Sequence, residues 1–196
     1  MTNSPQHELA KWLVKLLEPV HKSMVRHTIK DSFEIVKLLD QINVKEKHMA
    51  SFDVQSLFTN VPVREVIHII CDHVEQNQLK IGIPVSVLER QLLLCTTNVS
   101  FSFLGRAYRQ IDRVAMGSPL GPILADIFMA HLEEKASKIL ERSELYKRYV
   151  DDALIITRSL EETIWIMHEL NRLHPNKRFT MEAEILETRA SECTPN

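Results

Sequence analysis

The amino-acid sequence predicts an α+β fold in which an antiparallel sheet is backed by helices. Three patterns point there. Apolar residues recur at helical spacing in several long segments, apolar runs of strand length stop at polar or turn residues, and two pairs of such runs double back as hairpins. The expected order is helix, helix, strand, helices, hairpin, helix, hairpin, helix, strand, with no internal repeat or long linker.

The first helix is expected over Glu8 to Leu17, where Leu9, Leu13, Leu16 and Leu17 form one stripe, Trp12 reads as a core anchor and Pro19 fits a break just beyond. Asp31 can cap a second packing helix, with Glu34 in the capping-box position and Phe33, Val36, Leu38 and Leu39 as its apolar surface. Met49 to Val54 is a strand with Asp53 near its end, and Asn60-Val61-Pro62 turns the chain. Val63 to Gln76 and Val85 to Thr97 follow as helices, parted by Gly82 and Pro84. The period then changes. Val99 to Phe103 alternates, Leu104-Gly105-Arg106 can turn, and Ala107 to Ile111 can return as a second strand.

A long helix is expected from Pro119 to Pro122 until about Leu140, since Leu124, Phe128, Leu132, Ala136 and Leu140 recur every four residues and proline is tolerated in a first turn. Leu145 to Val150 and Ala153 to Thr157 flank Asp151-Asp152 as a hairpin. Ser159 and Glu162 can box a further helix to about Leu173, and Phe179 to Ile185 alternates as a last strand.

Composition narrows the function. The 196 residues carry 24 basic and 26 acidic side chains, a net charge of −2, so bulk attraction cannot hold a polyanion and nucleic acid would have to be gripped by local geometry. The absence of a run of about 18 apolar residues argues against a membrane span. The opening Met1-Thr2-Asn3-Ser4-Pro5 lacks a secretory layout, so the chain reads as intracellular, nuclear or cytoplasmic. Cys71, Cys95 and Cys193 are too scattered for a disulfide framework or paired zinc ligands and read as reduced thiols. His68 and His73, with Cys71 between them, fall on a helix where positions five apart do not share a face, which argues against a metal site there.

Carboxylates carry the chemistry. Asp disfavours strands and its charge needs partners, yet Asp53 sits at a strand end and Asp151-Asp152 adjoins the apolar run Ala153-Leu154-Ile155-Ile156. A cation would relieve such a pair, and oxygen-only ligands suit magnesium; two ions about 4 Å apart would serve phosphoryl transfer. A solvated Asp-Asp turn is the competing reading at this level.

Three blocks in order favour the first. Phe52-Asp53-Val54-Gln55-Ser56-Leu57-Phe58-Thr59-Asn60-Val61-Pro62, Ala115-Met116-Gly117-Ser118-Pro119-Leu120-Gly121-Pro122-Ile123-Leu124-Ala125, and Tyr149-Val150-Asp151-Asp152 resemble the successive palm motifs of reverse transcriptases. The wording Ser-Leu-Phe-Thr-Asn-Val-Pro and Ala-Met-Gly-Ser-Pro-Leu, with His174-Pro175-Asn176 and Phe179-Thr180-Met181-Glu182, is most similar to Penelope-like retroelements, and the resemblance runs from about Ser51 to Glu184.

The resemblance implies a polymerase palm and RNA-directed DNA polymerase activity, with RNA or DNA template, primer and deoxynucleoside triphosphates as partners. Asp53 and Asp151 would bind two Mg2+ ions, for which Mn2+ can substitute, and Asp152 would be a nearby acidic helper. Phe58 would be the steric gate under the incoming sugar. Met116, Gly117 and Ser118 would adjoin the nucleotide, and Tyr149, Lys147 and Arg148 would adjoin primer or template, although a solvated strand edge serves Lys147 and Arg148 equally well. Arg113 departs from the family by standing where relatives usually carry glycine. Fingers motifs, primer grip, thumb and a GIY-YIG endonuclease block are not recognised. Residues 1–187 therefore read as a palm fragment, partial at both ends, and 188–196 as a polar tail. A non-catalytic remnant or interaction module that keeps the palm fold, or another two-metal phosphoryl-transfer enzyme, stays open.

Overall fold

A computed structural model of the chain describes residues 5–97, 99–104, 106–110 and 117–183. Its centre is a four-stranded antiparallel sheet ordered β4-β5-β1-β6, formed by β1 (His48–Val54), β4 (Leu145–Tyr149), β5 (Asp152–Thr157) and β6 (Phe179–Ala183). The α+β expectation holds. Period two decides which face is which: Ala50, Phe52 and Val54 of β1 are buried, while Met49, Ser51 and Asp53 keep partial exposure on the other face.

Helices fill the buried side. α1 (Pro5–Met24), α3 (Val63–Gln76), α4 (Val85–Thr96) and α5 (Leu120–Lys135) contribute Leu13, Leu17, Ile67, Ile70, Leu88 and Phe128 to one continuous core with Phe52 and Ile155. α7 (Leu160–Arg172) packs on the sheet through Ile166 and Leu170, and its start is fixed where Ser159 accepts a hydrogen bond from the Glu162 N–H at 3.3 Å. The hairpin of β2 (Val99–Phe103) and β3 (Arg106–Gln110) forms a separate two-stranded sheet.

Four expectations need correction. α1 does not stop before Pro19 but runs five residues past it, to Met24. Pro19 lies on the exposed face, where water can satisfy the Lys15 carbonyl that its missing N–H abandons, and the fully buried Val20 keeps the next turn anchored. Trp12 is 44% exposed, because the stripe that enters the core is Leu13, Leu17 and Val20. α2 (Ser32–Leu39) forms with Asp31 accepting from the Glu34 N–H at 3.0 Å, yet it buries none of its residues, and Phe33 is 75% exposed. The long helix expected to reach Leu140 is interrupted at Ala136, and Ser137–Leu140 continues separately as α6. All five stripe residues are nevertheless buried. No helix among the described residues is long and apolar enough to cross a membrane.

Candidate active site

Strand register gathers the carboxylates. Asp53 of β1 pairs with Asp152 of β5, Asp152 pairs with Tyr149 of β4, and Asp53 pairs on its other side with Thr180 of β6. Directly opposed residues of antiparallel strands share a face with β-carbons roughly 5 Å apart. A row of Tyr149, Asp152, Asp53 and Thr180 therefore crosses the open face, because the next row, Arg148, Ala153 and Phe52, points into the core. Asp151 occupies the β4–β5 turn. Its carbonyl accepts from the Val54 N–H at 2.9 Å, which ties the turn to the end of β1.

Electrostatics mark this cluster. Partial desolvation, then the neighbouring charges of Asp151, Asp53 and Glu182, push the Asp152 carboxyl above its ordinary range. An all-oxygen donor set that repels itself in this way has the chemistry of a hard divalent cation site. Among the described residues no three histidine, cysteine or carboxylate side chains are already drawn round one point, so ligation would require side-chain rotation on this backbone.

Phe58 lies in a short 3-10 turn, Phe58–Asn60, and is half-buried. It borders a cavity of about 320 Å3 together with Tyr149, Val150, Pro122 and Asp126. The turn is held by the buried Lys177, whose Nζ donates to the Leu57 carbonyl at 3.0 Å. Gly117 has φ +87°, the left-handed region that glycine enters without strain, with open space where a β-carbon would sit. Ser118 is half-buried just before α5 and accepts a long hydrogen bond, 3.4 Å, from the Leu120 N–H. Met116 and Arg113 lie outside the described residues, as does the polar tail. Lys147 shares the open face with Leu154 and Ser51, and Tyr149 is 52% exposed.

Arg148 is corrected outright. Expected beside phosphate or on a solvated edge, it is 0% exposed. Its Nε donates to Glu133 Oε1 at 2.6 Å, its Nη2 pairs with Asp126 Oδ1 at 2.8 Å, and its Nη1 donates to the Val150 carbonyl at 2.9 Å. Burial opposes its charge, but Glu133 and Asp126 hold it protonated. Asp126 also accepts from Thr28 at 2.9 Å and meets His21 Nε2 at 2.6 Å. Burial would raise the Asp126 carboxyl, yet His21, Arg148 and Thr28 bring it down to about 2. Sequence reasoning missed this network although a signal existed. Asp126 and Glu133 stand seven residues apart on one helical face, and Arg148 has the inward parity of Tyr146 on β4.

The histidine-rich segment of α3 gathers no metal set among the described residues. Cys71 and Cys95 are separate, buried free thiols, and burial followed by nearby carboxylates pushes Cys71 up to about 11.

Residues 5–184 match the family described as Reverse transcriptase (RNA-dependent DNA polymerase). No curated protein matches the chain in sequence. Among solved structures, an apo telomerase from Candida tropicalis truncated from its C-terminal domain aligns with TM-score 0.65 at 16% identity over 92% of this chain and 41% of that one. A Candida albicans telomerase with a fragment of telomeric RNA aligns with TM-score 0.66 at 14% identity, over 92% of this chain and 35% of that one. The BmCPV RNA-dependent RNA polymerase at its elongation state aligns with TM-score 0.60 at 11% identity, over 89% and 18%. At these identities the likeness is one of fold, and the chain spans less than half of each of these solved chains.

Proposed function

Because the chain belongs to the reverse transcriptase family, we propose that it is the catalytic palm of an RNA-directed DNA polymerase, in which Asp53 and Asp151 bind two Mg2+ ions and Asp152 assists. The observation that carries this reading is the register of Asp53 against Asp152, with Asp151 tied to Val54 beside them. When bound, the ions would lower the pKa of the attacking primer 3′-hydroxyl and neutralise charge on the leaving oxygen. The hydroxyl attacks the α-phosphate of a deoxynucleoside triphosphate and pyrophosphate leaves.

The remaining residues orient the substrates. Phe58 lies against the sugar and its ring excludes a 2′-hydroxyl. Gly117 and Ser118, with Met116 before them, bound the nucleotide at the start of α5. Tyr149 and Lys147, on the face that carries the aspartates, contact primer or template. Residues 1–187 belong to the palm with part of the adjoining fingers–palm helices. Motif wording supports a retroelement of the Penelope-like type as the source.

A non-catalytic palm is the second reading, favoured by the net charge of −2, which leaves little general attraction for nucleic acid. Primer extension on an RNA template with Mg2+ separates the two. The proposal expects extension that Asp151→Asn abolishes; a folded wild-type chain that extends no primer would support the non-catalytic palm.

A further inference from the structure

Val150, immediately before Asp151, has φ +57°, the left-handed conformation that a two-residue turn between the paired Tyr149 and Asp152 calls for and that a β-branched side chain adopts only at a cost, so it needs support from its surroundings. Packing does not supply that support from below. Arg148, Tyr149 and Val150 line the cavity of about 320 Å3, so there is open volume under the turn where a packed side chain would otherwise brace it. Two hydrogen bonds reach the turn instead: the Val54 N–H donates to the Asp151 carbonyl, and Arg148 Nη1, the side-chain donor, holds the Val150 carbonyl.

The side-chain donor is itself held by two carboxylates, each of which has partners of its own. Glu133 and Asp126 of α5 hold the rest of the guanidinium, Tyr146 donates to Glu133 Oε1 at 3.3 Å, and His21 of α1 and Thr28 hold Asp126. Its backbone is clamped as well, because the Arg148 N–H donates to the His27 carbonyl and the Arg148 carbonyl accepts from the Ile29 N–H, each at 2.9 Å. A planar guanidinium can serve several acceptors at once in fixed directions, which an ammonium cannot.

We propose that Arg148 is a positioning residue for the metal site, a buried strut from α5 and α1 that fixes the left-handed Val150 and so the placement of the Asp151 carboxylate. The inference rests on the metal-binding role given above to Asp53 and Asp151. Partners that orient metal ligands without touching the ion cost about 10- to 100-fold in affinity when removed. Arg148 acts one peptide away from such a ligand and falls in this class.

The test is Mn2+ binding to the full chain, followed by electron paramagnetic resonance, with thermal melting recorded for each protein. Arg148→Met combined with Glu133→Gln removes one charge of each sign, so no new net charge is buried. Arg148→Lys keeps the charge, but its single ammonium is drawn to Glu133 and Asp126 and leaves the Val150 carbonyl. Both are expected to bind Mn2+ about tenfold or more weakly than wild type. Leu88→Ala, in the core far along the chain from the hairpin, is expected to melt lower yet bind as wild type does. Wild-type affinity in the folded double variant, or in Arg148→Lys should the double variant not fold, overturns the strut. A loss in Leu88→Ala equal to that in the Arg148 variants also overturns it, by reducing the effect to general instability. Absence of Mn2+ binding in the wild type, or unchanged binding in Asp151→Asn, instead fails at the earlier step and removes the metal site and the strut together.

Discussion

Asp126 offers the most quantitative test of the network behind the hairpin. Its side chain is 17% exposed and in contact with His21, Thr28 and Arg148, and its carboxyl titrates at about 2 rather than near its ordinary 3.8. Because the folded value lies below the unfolded one, the linked stability is present above the unfolded value and lost as pH falls through the folded value. A difference of nearly two pH units corresponds to about 2 kcal/mol at neutral pH, of which roughly half remains at pH 3. Asp126→Asn removes the titrating group while keeping its shape. Urea unfolding of both proteins at several pH values between 7 and 3 should show the variant less stable by about 2 kcal/mol at neutrality, with the gap narrowing below about pH 4. A gap that stays constant over that range, or widens on acidification, would refute the assignment of Asp126 as a half-buried anion held by Arg148, His21 and Thr28.

Two further outcomes follow from single side chains. Phe58→Ala should relax sugar discrimination, raising ribonucleotide incorporation relative to deoxynucleotide by about tenfold or more in single-nucleotide extension; unchanged selectivity would remove Phe58 from the sugar pocket. Gly117→Ala meets no atom with its new β-carbon but forces alanine to φ +87°, so a melt should report a loss of about 1 kcal/mol from backbone strain alone, and a neutral result would mean that the turn relaxes freely.

Much of the fold was legible in the sequence because local pattern and burial agree. α3 spans Val63–Gln76 as its amphipathic spacing predicts, since Val66, Ile67, Ile70 and Val74 all enter the core. Asp53, next to last in β1, and Asp152, first in β5, face outward because both have the outward parity of their strands. Where reading failed, tertiary packing outweighed local preference. Pro19 is a helix breaker by itself, but neighbours buried on the far side of α1 carry the helix through it. α2 has the composition of a packing helix, and nothing in its own spacing reveals that no described element covers Phe33. Arg148 illustrates the limit best. A charged residue beside the Asp-Asp pair suggests contact with phosphate; its parity with Tyr146 signals that it points inward, but that it meets Asp126 and Glu133 there depends on the three-dimensional meeting of α5 with β4.

The carboxylate row is a property of register, and register is what makes the proposed metal site specific. Shifting β1 by one residue against β5 would send Asp53 into the core face and Phe52 into solvent. Asp53 and the Asp151-Asp152 pair are nearly a hundred residues apart in sequence, so their meeting depends on the whole sheet being formed.

Mn2+ titration of the wild-type chain beside Asp53→Asn and Asp151→Asn, each verified as folded, tests the central claim most directly. The account predicts saturable binding in the wild type that either substitution weakens about tenfold or more, since each removes a direct carboxylate ligand. Equal binding by all three proteins would contradict it.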